Sequence, residues 1–276
     1  MKAAQWWILE NLLNPLPVHD AAHGFVNGRS IVTNASAHVG RDLVINWDLK
    51  NFFPTVTYTR VKGLFRSFGY SEKIATVLGL LCTEPDAEQV ELDGEDYFVH
   101  SSKRHLPQGA PTSPAITNLL CRRFDARLKG IAEQLGFHYT RYADDLSFSA
   151  SGKEAGEQVR KLLWRVQAVV GEEGFQVHPD KLRIMRKGGR QEVTGLTVNE
   201  KLGVPRDDLR RFRALVYQVE KDGPGGKKWR DSEANLLACL LGYANFICMV
   251  DLEKGAPIRD RVKAILTRHG WQHEIR

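Results

Sequence analysis

Apolar residues recur along this chain with two periods, and the points where the period changes mark its elements. The stretch "KAAQWWILENLL" (2–13) sets Trp6, Ile8, Leu9, Leu12 and Leu13 on one helical face. "DLVINWD" (42–48) reads as a buried strand ending on a charge, and Pro54 stops the segment "LKNFFPT" that follows. Between 137 and 150 the period is two on both sides of a short break. Phe137, Tyr139 and Arg141 alternate with His138, Thr140 and Tyr142; Leu146, Phe148 and Ala150 alternate with Ser147 and Ser149. That pattern predicts a strand, a turn and a strand, with Asp144 and Asp145 at the tip.

The remaining pattern is helical. "SPAITNLLCRRFDARLKGIAEQL" (113–135) predicts one helix, with Ser113 as N-cap, Pro114 at the first helical position, and Ile116, Leu119, Leu120, Phe124, Leu128, Ile131 and Leu135 at helical spacing. "EQVRKLLWRVQAVVGEEG" (157–174) predicts another that ends in glycines. Beyond Gly203, Leu209, Phe212, Leu215, Val216 and Val219 form a stripe, and the linker "KDGPGGKK" (221–228) separates that helix from one starting near Asp231.

Composition changes this picture in one respect. Hydrophobic content of 42% and charged content of 26% are ordinary for a globular chain of 276 residues. The net charge of +6 is uneven, however: residues 181–230 carry +8 and the remainder −2. A basic block of this kind suits a polyanionic partner, although solvated basic faces are common. Cys82, Cys121, Cys239 and Cys248 lack metal-like spacing and sit in apolar runs, as core thiols of a reducing cytoplasm would. No apolar run approaches 18 residues and no signal peptide opens the chain, so a soluble intracellular protein without a membrane partner is expected.

The carboxylates raise the chemical question. Asp-Asp in a loop can be simple turn chemistry. Asp48, though, ends an apolar strand, where a charge needs a partner. If that strand lies beside the 137–150 hairpin, three carboxylates converge at one end of a sheet, a costly arrangement unless divalent cations neutralise it. Carboxylate oxygens suit Mg²⁺ or Mn²⁺, and two such ions about 3.5–4 Å apart form the clamp of in-line phosphoryl transfer. "LPQGAPTSPAITN" (106–118) adds a Gly/Pro loop running into a helix start, where backbone can approach a ligand closely.

In order, the Asp48 segment with Phe53 five residues on, "LPQG" with "SP" near 106, and "YADD" at 142–145 resemble the successive motifs of reverse transcriptases. The resemblance runs from near residue 5 to beyond 200 and is closest to bacterial retron reverse transcriptases. Asn34 to His38 fits their NAxxH string, Val193-Thr194-Gly195 fits their VTG triplet, and "HGFVNGRSI" (23–31) and "GFQVHPDKLRI" (174–184) resemble segments flanking the palm.

The resemblance implies an α+β fold: a right-hand polymerase palm with partial fingers over 1–200 and an α-helical thumb over 201–276. It implies RNA-directed DNA polymerase activity with two Mg²⁺ ions (or Mn²⁺) held by Asp48, Asp144 and Asp145 and by the backbone at Leu49. Phe53 matches a steric gate against a ribose 2′-OH. Gln108 and Ala143 match positions lining the incoming dNTP, and Lys181 matches a lysine near the leaving pyrophosphate. Asn34, His38 and the 193–195 segment match RNA- or primer-binding positions. Arg210, Arg211 and Arg213 lie off the apolar stripe and could follow a phosphate backbone. For His38 a satisfied core histidine, for Val193–Gly195 a plain hairpin, for Phe53 a core ring and for Lys181 a solvated lysine stay open.

The implied partners are a cognate structured non-coding RNA serving as template and primer, the RNA–DNA hybrid, dNTPs and a retron effector protein. The product would be branched msDNA, in anti-phage defence. The family ordinarily carries fingers strands ahead of the helix where this chain starts, so a truncated or weakly active polymerase is expected. A group II intron or abortive-infection reverse transcriptase is a second reading, against which the NAxxH and VTG strings stand. A non-catalytic RNA-binding scaffold is a third.

Overall fold

The computed structural model describes residues 1–152, 154–230 and 235–271. Its centre is an antiparallel sheet of order β4-β5-β1-β6, formed by β1 (Leu43–Asp48), β4 (His138–Tyr142), β5 (Asp145–Ala150) and β6 (Arg183–Arg186). The alternation in β1 divides its side chains between two cores. Leu43, Ile45 and Trp47 join a large cluster with Leu146 and Phe148 of β5. Helices α6 (Arg122–Gln134) and α7 (Glu154–Glu172) cover that face with Phe124, Leu128, Leu162 and Val166. Val44 points the other way, onto Ala35 of α2 (Ile31–Ser36) and onto Val193 and Leu196 of the short hairpin β7 (Glu192–Val193) and β8 (Leu196–Thr197).

Both faces of the hairpin strands are therefore covered. Ser147 and Ser149, predicted to alternate with the apolar residues, are each 1% exposed. Buried hydroxyls need partners, and His38 supplies one to Ser149 and one to Thr140 of β4. It is fully buried, with Nδ1 at 2.7 Å from Ser149 Oγ and Nε2 at 2.7 Å from Thr140 Oγ1. Burial pushes the imidazole down to about 3, so it stays neutral and pins α2 to the sheet.

Three sequence expectations shift. Trp6 is 52% exposed rather than part of the inward face of α1 (Lys2–Ile8), which buries Ile8 and continues as a π-helical turn (Leu9–Leu13). The predicted single helix over 113–135 is two, α5 (Ser113–Leu120) and α6, because the backbone at Cys121 leaves helical ψ (φ −78°, ψ 1°). The apolar spacing runs on across that break, so periodicity could not show it. Ser113 is not the N-cap: Thr112 holds that place, and the Ser113 hydroxyl instead donates to the Pro107 carbonyl at 2.8 Å.

Helices α3 (Tyr58–Ser67) and α4 (Glu72–Cys82) pack together beside the sheet and precede an unpredicted hairpin, β2 (Ala87–Leu92) and β3 (Glu95–His100). Every position of that hairpin is exposed, and Asp93-Gly94 turns it. Seven carboxylates and no Lys or Arg lie between 84 and 100, so this arm repels a phosphate backbone.

A second core gathers α8 (Arg206–Asp222), α9 (Leu236–Val250) and α10 (Leu252–Arg268) through Phe212, Val216, Val219, Leu240, Ile247, Val262 and Ile265. The stripe read from the sequence thus faces inward. Helices α9 and α10 cross closely at Gly255, where a Cβ would stand 2.5 Å from the Cys248 Cα. Asp231, the expected start of the helix after the linker, lies outside the described residues, and α9 begins at Leu236.

Candidate active site

The register of the sheet sets the site. Asp48 closes β1 directly opposite Asp145, which opens β5. Tyr142 also pairs with Asp145, which leaves Ala143 and Asp144 as a two-residue turn. The Leu49 amide donates to the Asp144 carbonyl at 3.0 Å, so the end of β1 is laced to the turn. All three carboxylates sit at one end of the sheet.

Ala143 stands at φ +54°, a left-handed conformation that costs an L-residue about 1 kcal/mol or more. A buried polar cradle holds it there. Arg141 is fully buried and donates from Nη1 to the Ala143 carbonyl at 3.0 Å and to Asn118 Oδ1 at 3.1 Å. Its Nε and Nη2 donate to the two carboxylate oxygens of Asp125 at 2.8 and 2.7 Å. The Tyr139 hydroxyl adds a bond to Asp125 at 2.9 Å, and the Asn118 amide reaches back to the Gly24 carbonyl at 2.8 Å. Gly24 itself lies against the turn: a Cβ there would meet the Ala143 nitrogen at 2.6 Å, so no larger residue fits. This cradle was missed in the sequence. Its signal was Arg141 sharing the inward face with Phe137 and Tyr139, a charge that had to be paired.

Electrostatics mark the tip as short of positive charge. Burial, then a hydrogen bond with Asp48, then the charges of Asp48 and Asp144 push Asp145 up to about 7. Burial and the charge of Asp48 also raise Asp144. Lys181 Nζ lies 2.7 Å from Asp48 Oδ2, and that contact raises the lysine in turn. Among the described residues no three His, Cys, Asp or Glu side chains already form a metal cluster. The donor set nevertheless fits a hard cation: three carboxylates converge, one retains a proton near neutrality, and an ammonium stands in as their counter-charge.

The other predicted residues divide into surface and interior. Gln108 is exposed beside Gly109, in a loop tethered by the Leu106 amide to the Val56 carbonyl at 3.0 Å. Phe53 is half-buried, 5.5 Å from the deeper Phe52 ring, and leans on the main core. Arg210, Arg211 and Arg213 are exposed on α8, Arg210 within 3.2 Å of Asp207. Leu49 and Ala143 are buried, so only their backbone faces the tip.

Asn34, His38 and Val193, expected among the RNA- or primer-binding positions, are each fully buried, with their side chains in the interior. Thr194 (φ +46°) and Gly195 (φ +78°) form the tight turn between β7 and β8, with Thr194 Oγ1 donating to the Ile31 carbonyl at 3.3 Å. Gly195 remains at the surface.

Comparison with known proteins adds a family. Residues 2–217 match the family described as reverse transcriptase (RNA-dependent DNA polymerase). The chain is 51% identical to the Retron Mx162 reverse transcriptase of Myxococcus xanthus, over 92% of this chain and 54% of that protein. It is 49% identical to the Retron Mx65 reverse transcriptase of the same organism, over 95% of this chain and 59% of that protein. The Retron Ec86 reverse transcriptase of Escherichia coli is 34% identical, over 79% and 62%. The chain thus spans a little over half the length of the curated relatives it matches. Among solved structures, apo telomerase from Candida tropicalis superimposes with a TM-score of 0.52 at 13% identity, covering 97% of this chain and 50% of that one, a likeness of fold alone.

Proposed function

Because this chain belongs to the reverse transcriptase family, we propose that it is the catalytic part of a retron-type RNA-directed DNA polymerase. The observation that carries this reading is the pairing of Asp48 with Asp145 across β1 and β5, with Asp144 beside them. Asp48 and Asp144, with Asp145 and the Leu49 carbonyl, would hold two Mg²⁺ ions, with Mn²⁺ as a substitute. When bound, such ions stabilise the charge of an in-line displacement at the α-phosphate of a dNTP.

The chain's own groups do the positioning. The Arg141–Asp125 pair fixes the turn that aims Asp144. Lys181 is exposed on a flexible stem, so release from Asp48 would free its ammonium for the leaving pyrophosphate. Gln108 and the Ala143 backbone line the nucleotide. Phe53 bars a ribose 2′-OH by overlap. If it does, Phe53→Ala should raise rNTP use relative to dNTP by about tenfold or more, a modest pocket difference in energy; an unchanged ratio in single-nucleotide incorporation would reduce Phe53 to a core ring.

The template on this reading is a cognate structured RNA, primed on itself to give branched msDNA in anti-phage defence, within the cytoplasm and with an effector protein as partner. No helix among the described residues is long and apolar enough to cross a membrane. Arg210, Arg211 and Arg213 would contact phosphates, so changing all three to Gln should weaken RNA binding and lower the slope of log K against log salt by about two to three. A slope that stays the same would turn that face away from the duplex.

The deciding experiment is primer extension on an RNA template with dNTPs and Mg²⁺. Extension that EDTA abolishes supports the polymerase; RNA binding without extension favours the scaffold.

A further inference from the structure

Helix α8 turns its apolar stripe inward, and along the edge of that stripe Asp208, Arg211, Leu215 and Gln218 follow one another at spacings of three and four. Against that face lies the segment after the Gly/Pro linker, with Lys228, Trp229 and Arg230. Between them is a cleft of about 380 Å³. That is near the lower end of the roughly 300–1,000 Å³ typical of small-ligand sites. It has room for one flat ring and its sugar phosphate, not for a stem.

The aromatic wall is packed from behind, and the chemistry of the cleft is specific. Trp229 is half-buried and held by Phe212 at 5.0 Å and Tyr243 at 4.7 Å between ring centroids. Arg230, at φ +55°, lies over both the Trp229 and Tyr243 rings, at 5.4 and 5.5 Å. Its Nη2 donates to Asp208 Oδ2 at 3.1 Å, which neutralises the one carboxylate of the cleft. Among the described residues Arg211 and Lys228 form no ion pair through their side chains, and the Gln218 amide makes no hydrogen bond. An aromatic wall, two uncommitted cations and an amide with both a donor and an acceptor suit a planar, hydrogen-bonding ring that carries a phosphate.

We propose that this cleft takes a single unstacked nucleotide of the RNA that the helices α8 to α10 bind. A base inside a duplex is stacked and cannot enter, so the occupant is a bulged or looped residue. The proposal rests on the reading of these helices as an RNA-binding thumb. Arg211 and Lys228 would hold the phosphate, Trp229 would meet the base, and Gln218 would touch its edge.

The test uses the full chain and three RNA hairpins: one fully paired, one with a single bulged nucleotide, and one with an abasic residue at the bulge. The wild-type chain should bind the base-bearing bulge about tenfold more tightly than the abasic one, the scale of one stacked base. Gln218→Ala with Lys228→Ala removes the edge and phosphate contacts, so it should weaken binding of the base-bearing bulge by about fivefold and leave affinity for the fully paired hairpin within about twofold. Trp229→Ala should erase the preference for the base-bearing over the abasic bulge, and circular dichroism would show whether it folds; the double variant keeps the test valid if it does not. Equal binding of the bulged and abasic RNAs by the wild type overturns the cleft while duplex binding preserves the thumb. Unchanged affinity of the double variant for the base-bearing bulge also overturns it. Failure to bind any of the three RNAs overturns both readings.

Discussion

Asp144→Asn should reduce primer extension by on the order of 10³-fold or more while the chain stays folded. The turn aims this carboxylate at the place where Asp48 and Asp145 converge, and several kcal/mol of charge stabilisation depend on metal held there. The substitution keeps side-chain volume and leaves the Asp144 carbonyl free to accept from the Leu49 amide. It also removes a charge that burial and Asp48 already disfavour. The thermal midpoint should therefore hold or rise slightly, and RNA affinity should be unchanged. Single-turnover extension beside circular dichroism checks both halves. Extension at the wild-type rate would remove Asp144 from the metal set.

The largest stability effect is expected at Asp125. Its carboxylate and the Arg141 guanidinium are both fully buried and are 2.7 Å apart. Removing one partner of such a pair leaves an uncompensated interior charge and typically costs about 3–5 kcal/mol. Asp125→Asn should show this in urea denaturation, and activity should fall with it because Arg141 also carries the Ala143 carbonyl. A second variant separates the two roles. Asp125→Leu with Arg141→Met removes both charges and should recover much of the stability, since apolar replacement of a buried pair is often neutral or better. It should not recover extension, because nothing then donates to Ala143. Full recovery of activity in the double variant would show that the cradle only supports the fold.

These two sites also show what was legible beforehand. Asp48 stood out because a charge closes an apolar strand, and the hairpin stood out because its period is two on both sides of Asp144 and Asp145. Local rules suffice for such features. The Arg141–Asp125 pair joins a strand to a helix, and no spacing rule announces it. His38 belonged to a recognisable string, yet only the covered second face of the sheet explains why a histidine is needed there. The break at Cys121 was hidden by apolar spacing that continues through it. The β2–β3 arm went unassigned although Asp93-Gly94 is a strong turn signal, because its strands are exposed on both faces and neither keeps a regular period of two. Trp6 was misplaced because a helical stripe shows which side is apolar, not whether anything covers it.

The strand order has a kinetic consequence. In β4-β5-β1-β6 the strand that reaches the chain's growing end first, β1, needs neighbours made far later. Asp48 meets Asp145 only after a loop of roughly a hundred residues closes, and non-local closures of this kind slow folding. Helices α9 and α10, by contrast, are consecutive and pack along each other, so their pairing is local and fast. During refolding the C-terminal helices should thus acquire structure before the three carboxylates share one end of a sheet. The charge of Asp48 joins those of Asp144 and Asp145 only at that long closure, whereas Arg141 and Asp125, 16 residues apart, have a much shorter loop to close around the turn.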